Sequence, residues 1–173
     1  MNQSQLDLPG VLGAADDLGD DGGVRARVHD RGELHVHMNG AVPVSTIREI
    51  MADETTSLPA GFDFERDMTR LVPCKSLAEY LTPWQVLRLF PKKRANLDRL
   101  AHAVFASLAE NAVRFVALRS SVLYLTGLQS CTPAQALERL IESTGSASQQ
   151  YGIRRGLILT VTRGDYGASN LAT

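Results

Sequence analysis

The sequence predicts an α/β protein with a parallel sheet, because strand-like and helical runs alternate along most of its length. Its strand-like runs are rich in β-branched and aliphatic residues, as strands buried in parallel sheets are. A length of 173 residues suits one domain, or part of one. No GxGxxG or GxxxxGK(S/T) follows any strand, which removes the usual nucleotide signatures of an open sheet. An open doubly wound sheet and a closed (β/α) barrel both remain.

Residues 1–23 are rich in Asp and Gly with no sustained apolar period, and read as a flexible leader. Asp16, Asp17, Asp20 and Asp21 lack the alternate-ligand spacing and closing glutamate of a calcium loop. Val24, Ala26 and Val28 then alternate with polar residues, Asp30-Arg31-Gly32 supplies a turn, and Leu34, Val36 and Met38 alternate again as a strand. Thr46 and Glu49 have the spacing of a capping box and predict a helix start. SLAEYLTPWQVLRLF, residues 76–90, is helical in character. Leu97, Leu100, Ala101, Val104, Phe105 and Leu108 fall on one face of a helix. VRFVALRSSVLYL, residues 113–125, reads as a buried strand. Thr132-Pro133-Ala134-Gln135 combines an N-cap, a proline at the first helical position and a capping glutamine, and Leu137, Leu140 and Ile141 continue as an apolar stripe. After Tyr151-Gly152, GLILTVT (residues 156–162) reads as a third buried strand. Residues 24–173 are thus expected to belong to one domain.

Lys and Arg number 18 against 19 acidic residues, a net charge of -1, so there is no electrostatic case for nucleic acid or an anionic membrane as partner. A small-molecule ligand is the default. Cys74 and Cys131 stand far apart and in no CxxC pattern, which argues against a disulfide scaffold and fits a reducing, cytoplasmic setting. Neither a signal-peptide pattern nor an apolar run of membrane-spanning length is present.

The stretch GELHVHMNGAVP, residues 32–43, carries the chemistry. Period-two geometry places Glu33, His35, His37 and Asn39 on one strand face and Leu34, Val36 and Met38 on the other. Parallel sheets present their reactive groups at the carboxyl ends of strands, where His35 and His37 stand. Two imidazoles on one face can share a metal ion, although a polar strand face that simply meets water has the same pattern. A catalytic metal site needs a third protein ligand. His29 reaches the pair only through a hairpin, and His102 lies beside the apolar stripe of a helix, so neither is expected to be that ligand.

These residues resemble the adenosine deaminases and their adenosine deaminase-like relatives among the zinc-dependent amidohydrolases. ELHVHMNGAVP is similar to that family's first-strand signature, and the likeness continues through SLAEYLTPWQVL, LAHAVFASLAENAVRFVALRSS and GLILTVTRG, over about residues 33–164. The resemblance implies a (β/α)8 TIM barrel, of which this chain would be the N-terminal part with about three βα units. It implies His35 and His37 as ligands of one Zn2+ per complete site. It places Asn39 and Gly40 where the ribose approaches, Tyr80, Leu81 and Trp84 on the helix closing over the base, and Ser121 in the pocket lining. The implied reaction is hydrolytic deamination of an adenine nucleoside or nucleotide, in which zinc lowers the pKa of a water that attacks C6. The third histidine, the proton-transferring glutamate and the aspartates are expected on later strands, so no catalytic residue is assigned in this chain and it is expected to be inactive alone.

Departures from the family pattern bear on substrate. Asn39 stands in place of a common Asp, as in relatives acting on N6-modified adenine nucleotides; Ala117 replaces a common Glu and Val122 a common Pro. Arg119 and Arg163, at strand ends, could face a ligand, although an ion pair is the commoner role for such residues. Two other readings stand beside the deaminase: a different HxH metal-dependent hydrolase, and a non-catalytic relative serving as an interaction module.

Overall fold

The computed structural model describes residues 31–69 and 72–160. The leader, the alternating run at 24–28, His29, Arg163 and the end of the third strand-like run lie outside the described residues. Among the described residues three parallel strands form one sheet: β1 (Arg31–His37), β2 (Val113–Ser120) and β3 (Arg154–Leu159), in the order β1-β2-β3. Between β1 and β2 come a 3-10 turn (Met38–Ala41) and five helices, α1 (Val44–Asp53), α2 (Phe64–Met68), α3 (Leu77–Tyr80), α4 (Trp84–Leu87) and α5 (Arg94–Glu110). Between β2 and β3 come α6 (Val122–Gln129) and α7 (Pro133–Tyr151).

The core lies between the sheet and its helices. Leu97, Leu100, Ala101, Val104 and Phe105 of α5 are buried, as their spacing requires, against Val116 and Leu118 of β2 and Leu140 and Ala147 of α7. Burying side chains of this size contributes about 1.5–3 kcal/mol each before the entropy of ordering is set against it. On α7 the buried face is Ala136, Leu140, Ser143, Thr144 and Ala147, so Ile141 is exposed and the expected stripe is rotated. The small residues at 136, 143, 144 and 147 present little bulk where α7 meets α5, and their polar atoms are satisfied. The Thr144 hydroxyl donates to Leu140 O at 2.7 Å, while Ser143 donates to Asp98 and accepts from Arg94 Nη1.

Several expected boundaries shift for identifiable reasons. Helix α7 starts as its sequence requires: Thr132 caps, Pro133 occupies the first turn, and Gln135 completes a capping box. It ends at Gly152, whose φ of 63° is the left-handed conformation that glycine adopts without a Cβ penalty. Helix α1, by contrast, begins at Val44 with Pro43 as N-cap and no side-chain cap, so the Thr46–Glu49 box does not form. The run at 76–90 is broken into α3 and α4, with Pro83 as the N-cap of the second piece. The run at 113–125 changes state at Ser121, whose side chain accepts from Tyr124 N and caps α6, so Val122 to Leu125 are helical. Strand β3 is half-exposed because it lies at the edge of the sheet among the described residues. In β1 a register irregularity between Glu33 and Val36 breaks the alternation, and Leu34 is 68% exposed instead of sharing the inner face of Val36 and Met38.

A pair of carboxylates, Asp53 and Glu54, sits at the N-terminal end of α5. Glu54 Oε1 accepts from Lys92 N, Lys93 N and Asn96 Nδ2, satisfying amides at a helix start that has no cap of its own. Hydrogen bonds from Asn96 and then Lys93 hold the Asp53 carboxyl below its ordinary value. A carboxyl depressed on folding stabilises fully above its unfolded pKa of about 3.9 and loses that contribution as pH falls through the lower folded value. Melting temperature followed against pH is therefore expected to show a smaller acid-side decline in Asp53→Asn than in the parent. Superimposable profiles would contradict this coupling.

Candidate functional site

The candidate residues gather where β1 and β2 end. His37 pairs across the ladder with Arg119, the penultimate residue of β2. Beyond His37 the backbone leaves the strand for the 3-10 turn, which buries Met38 and swings Asn39 toward α4. A cavity of about 520 Å³ opens here, lined by His37, Met38, Asn39, Trp84, Leu87, Arg88, Arg119, Ser120, Ser121, Tyr124 and Thr160. A smaller one, about 240 Å³, lies beside Arg31, Glu33 and Asn111 and holds none of the expected site residues.

The two imidazoles converge. His35 Nε2 and His37 Nε2 are 3.3 Å apart, with ring centroids 5.3 Å apart and the rings tilted by 43°. Two nitrogens held at zinc's usual bond length by tetrahedral coordination stand about 3.3 Å apart. The pair therefore has the separation of two ligands of one tetrahedral ion, and with one ring protonated the same distance is a histidine–histidine hydrogen bond. Burial, then the charges of His35 and Arg119, holds the His37 pKa below the ordinary imidazole value. Neutral imidazole is the form that binds metal. Among the described residues no group of three His, Cys, Asp or Glu side chains is placed to hold an ion, so the pair alone does not complete a site. His102 is engaged elsewhere, with Nε2 3.3 Å from Ser146 Oγ and its ring edge-on to Tyr151. Cys74 and Cys131 are free thiols.

Trp84 forms one wall, edge-on to His37 at 5.9 Å between centroids. Gly40 makes room for it: a Cβ at residue 40 would lie 3.4 Å from Trp84 Cζ2, so alanine is near the limit of ordinary contact and larger side chains crowd the indole. Asn39 does two things. Its Nδ2 donates to Leu87 O at 3.0 Å, Phe90 O at 3.2 Å and Tyr124 Oη at 2.9 Å, tying the end of α4 to the end of β1. Its Oδ1 has no donor among the described residues, although the residue lines the cavity. Tyr124 reinforces this junction, its hydroxyl donating to Leu87 O and Phe90 O. Ser121 is both helix cap and cavity wall.

Of the expected site residues, then, His37, Asn39, Trp84 and Ser121 line one cavity, His35 adjoins it through His37, and Gly40 supports it from beneath Trp84. Tyr80 and Leu81 are exposed and lie outside its wall. Arg119 makes no ion pair among the described residues, contrary to expectation; its Nε is buried without a partner. Sequence reasoning passed over Arg88, Tyr124, Ser120 and Thr160. Tyr124 sat inside a run read as strand, and Arg88 carried no signal beyond its place after the aromatic segment.

The profile of the Adenosine deaminase family matches residues 31–172, well over half of the chain. The chain belongs to the adenosine deaminase family. Among curated relatives, an adenosine deaminase of Clostridium botulinum is 27% identical over 133 residues, covering 76% of this chain and 40% of that protein. One from Clostridium perfringens is 26% identical over 135 residues, with the same two coverages. The chain thus spans about 40% of the length of these family members. Among solved structures, a Burkholderia ambifaria amidohydrolase with bound Zn superposes with a TM-score of 0.62 at 18% identity, over 78% of this chain and 36% of that one. Arabidopsis ADAL complexed with GMP gives 0.58 at 18% identity, over 78% and 41%. Adenine deaminase of Arthrobacter aurescens gives 0.58 at 16% identity, over 74% and 38%. These neighbours are TIM-barrel amidohydrolases, so the three parallel strands and their helices correspond to a partial, N-terminal region of a barrel rather than to a doubly wound sheet. Among the described residues no helix is long and apolar enough to cross a membrane.

Proposed function

We propose that this chain supplies the first-strand half of a zinc-dependent deaminase site acting on the adenine ring of a nucleoside or nucleotide, a purine-salvage reaction. The observation that carries this reading is the 3.3 Å convergence of His35 and His37 at the mouth of a cavity walled by Trp84. Membership of the adenosine deaminase family supports it, as does the Zn bound by a structural neighbour. His35 and His37 would hold the ion, and a bound zinc would supply activation of a water for attack on the amino-bearing ring carbon.

The chain's own residues would bind and orient. Trp84 offers an aromatic face to the purine, worth about 1–3 kcal/mol where an indole meets a base. The free Oδ1 of Asn39 would accept a hydrogen bond from a ribose hydroxyl, while its amide nitrogen keeps the α4 end in register with β1. Gly40 would hold the indole close to His37, and Ser121 would add a hydroxyl at the opposite wall. Tyr80 and Leu81, exposed on and just after α3, would close over the base once it is bound. Proton transfer would fall to groups beyond this set, since no glutamate or aspartate among the described residues lines the cavity.

The test is one titration and one assay on the 173-residue chain. Zinc is expected to bind weakly, near one equivalent, and to shift the emission of Trp84, the sole tryptophan. Adenosine, followed by its ultraviolet change, is expected to remain intact. Robust turnover would show that the described half is sufficient and overturn the division of labour; absence of zinc binding would overturn the metal assignment. The interaction-module reading has one observation in its favour, the two unpaired sheet edges at β1 and β3 among the described residues. It gains if the chain binds neither zinc nor purine yet self-associates.

A further inference from the structure

The imidazole pair at the end of β1 is half of a coordination shell. Its Nε2 atoms stand 3.3 Å apart, the separation of two ligands of one tetrahedral ion, and both rings are exposed rather than shut inside the cavity. No third His, Cys, Asp or Glu side chain joins them among the described residues. A zinc ion held by two side chains keeps two positions for water, and filling those positions with further protein ligands is what turns an open site into a closed, structural one.

Access to the pair is open from one side. Strand β1 lies at the edge of the sheet, so among the described residues no strand flanks the histidines there, whereas Trp84 walls them on the cavity side. Leu34, 68% exposed on the same strand, adds an apolar side chain that a facing molecule would cover. The net charge of -1 sets little long-range repulsion between copies of the chain. Closer in, Arg88 and Arg119 line each cavity, and among the lining residues no carboxylate offsets them. Two such faces repel, so the ion itself has to hold them together.

We propose that His35 and His37 of two copies of this chain together hold one zinc ion, making a metal-bridged dimer. A second copy supplies two further imidazoles at the same spacing, and two-fold symmetry lets each chain give what it receives. The inference rests on the reading of the pair as zinc ligands and gives that site a second state. With one chain the shell is open; with two it is closed, has no position for water, and cannot support hydrolysis.

Sedimentation velocity of the 173-residue chain over a series of zinc ratios reads this out. The chain is expected to be monomeric without zinc, dimeric with one ion per two chains while the chain is in excess, and monomeric again once surplus zinc gives every chain its own ion. A chelator should return the dimer to monomer. His35→Ala and His37→Ala, both at exposed positions, should each weaken the zinc-dependent dimer by at least roughly tenfold. Zinc bound at one ion per chain at every ratio, with the chain monomeric throughout, would overturn the bridge and leave the ligand pair standing. A dimer that forms equally well without zinc and survives the chelator would overturn it in favour of pairing at the open sheet edge. A zinc-dependent dimer undiminished in both variants would overturn it by placing the ion on other groups. If zinc does not bind at all, the bridge and the metal reading fall together.

Discussion

Asn39→Asp is expected to destabilise the protein by about 3 kcal/mol at neutral pH, although the two side chains have nearly the same shape. The amide nitrogen of Asn39 donates toward Leu87 O and Phe90 O, at 3.0 and 3.2 Å. A carboxylate there would set a negative charge against two carbonyl oxygens. Tyr124 could turn its hydroxyl to the new carboxylate, but only by withdrawing it from those same carbonyls, to which it donates in the parent. The carboxyl pKa of such a variant would be raised on folding, so the deficit should be fully present above that raised value and shrink as pH falls through it toward the ordinary carboxylate range. Urea unfolding at neutral and mildly acidic pH measures both parts. A loss below about 0.5 kcal/mol, or one that does not vary with pH, would show that the junction between β1 and α4 does not depend on an amide donor.

His35→Ala and His37→Ala are each expected to lower zinc affinity by a hundredfold or more. Loss of an outer-shell partner alone typically costs 10–100-fold, and these residues would be direct ligands. Both side chains are exposed, so neither change should move the urea midpoint appreciably, and the loss can be read separately from folding. Chelator competition gives the affinities. Unchanged zinc binding in both variants would mean that the 3.3 Å approach of the two Nε2 atoms is only a hydrogen bond between imidazoles.

Some of this architecture was legible because the signals were local. Thr132, Pro133 and Gln135 complete each other's hydrogen bonds within one turn, so the start of α7 needs no partner from elsewhere. The α5 stripe follows from helical geometry, and all five of its leading residues are buried. That His35 and His37 stand together at the end of β1 followed from their spacing on a strand. Other signals misled. Thr46 and Glu49 have capping-box spacing, but Pro43 is the N-cap and α1 starts three residues earlier. VLYL has strand-like composition, yet the Ser121 cap turns it into helix. Leu34 alternates correctly on paper and is turned outward by the irregular register of β1.

The sequence by itself determined the alternation of strands and helices, the family, and the pair of imidazoles at the end of β1, since each follows from residues close together in the chain or from a motif read in order. Only the tertiary structure decided what surrounds that pair. Arg88, Arg119, Tyr124 and Thr160 come to one cavity from the end of α4, the end of β2, α6 and the residue after β3. Their separation along the chain carries no period that could announce them. Parallel strands place their carboxyl ends at one edge of the sheet however long the crossovers between them, and that shared edge brings side chains remote in sequence around one cavity.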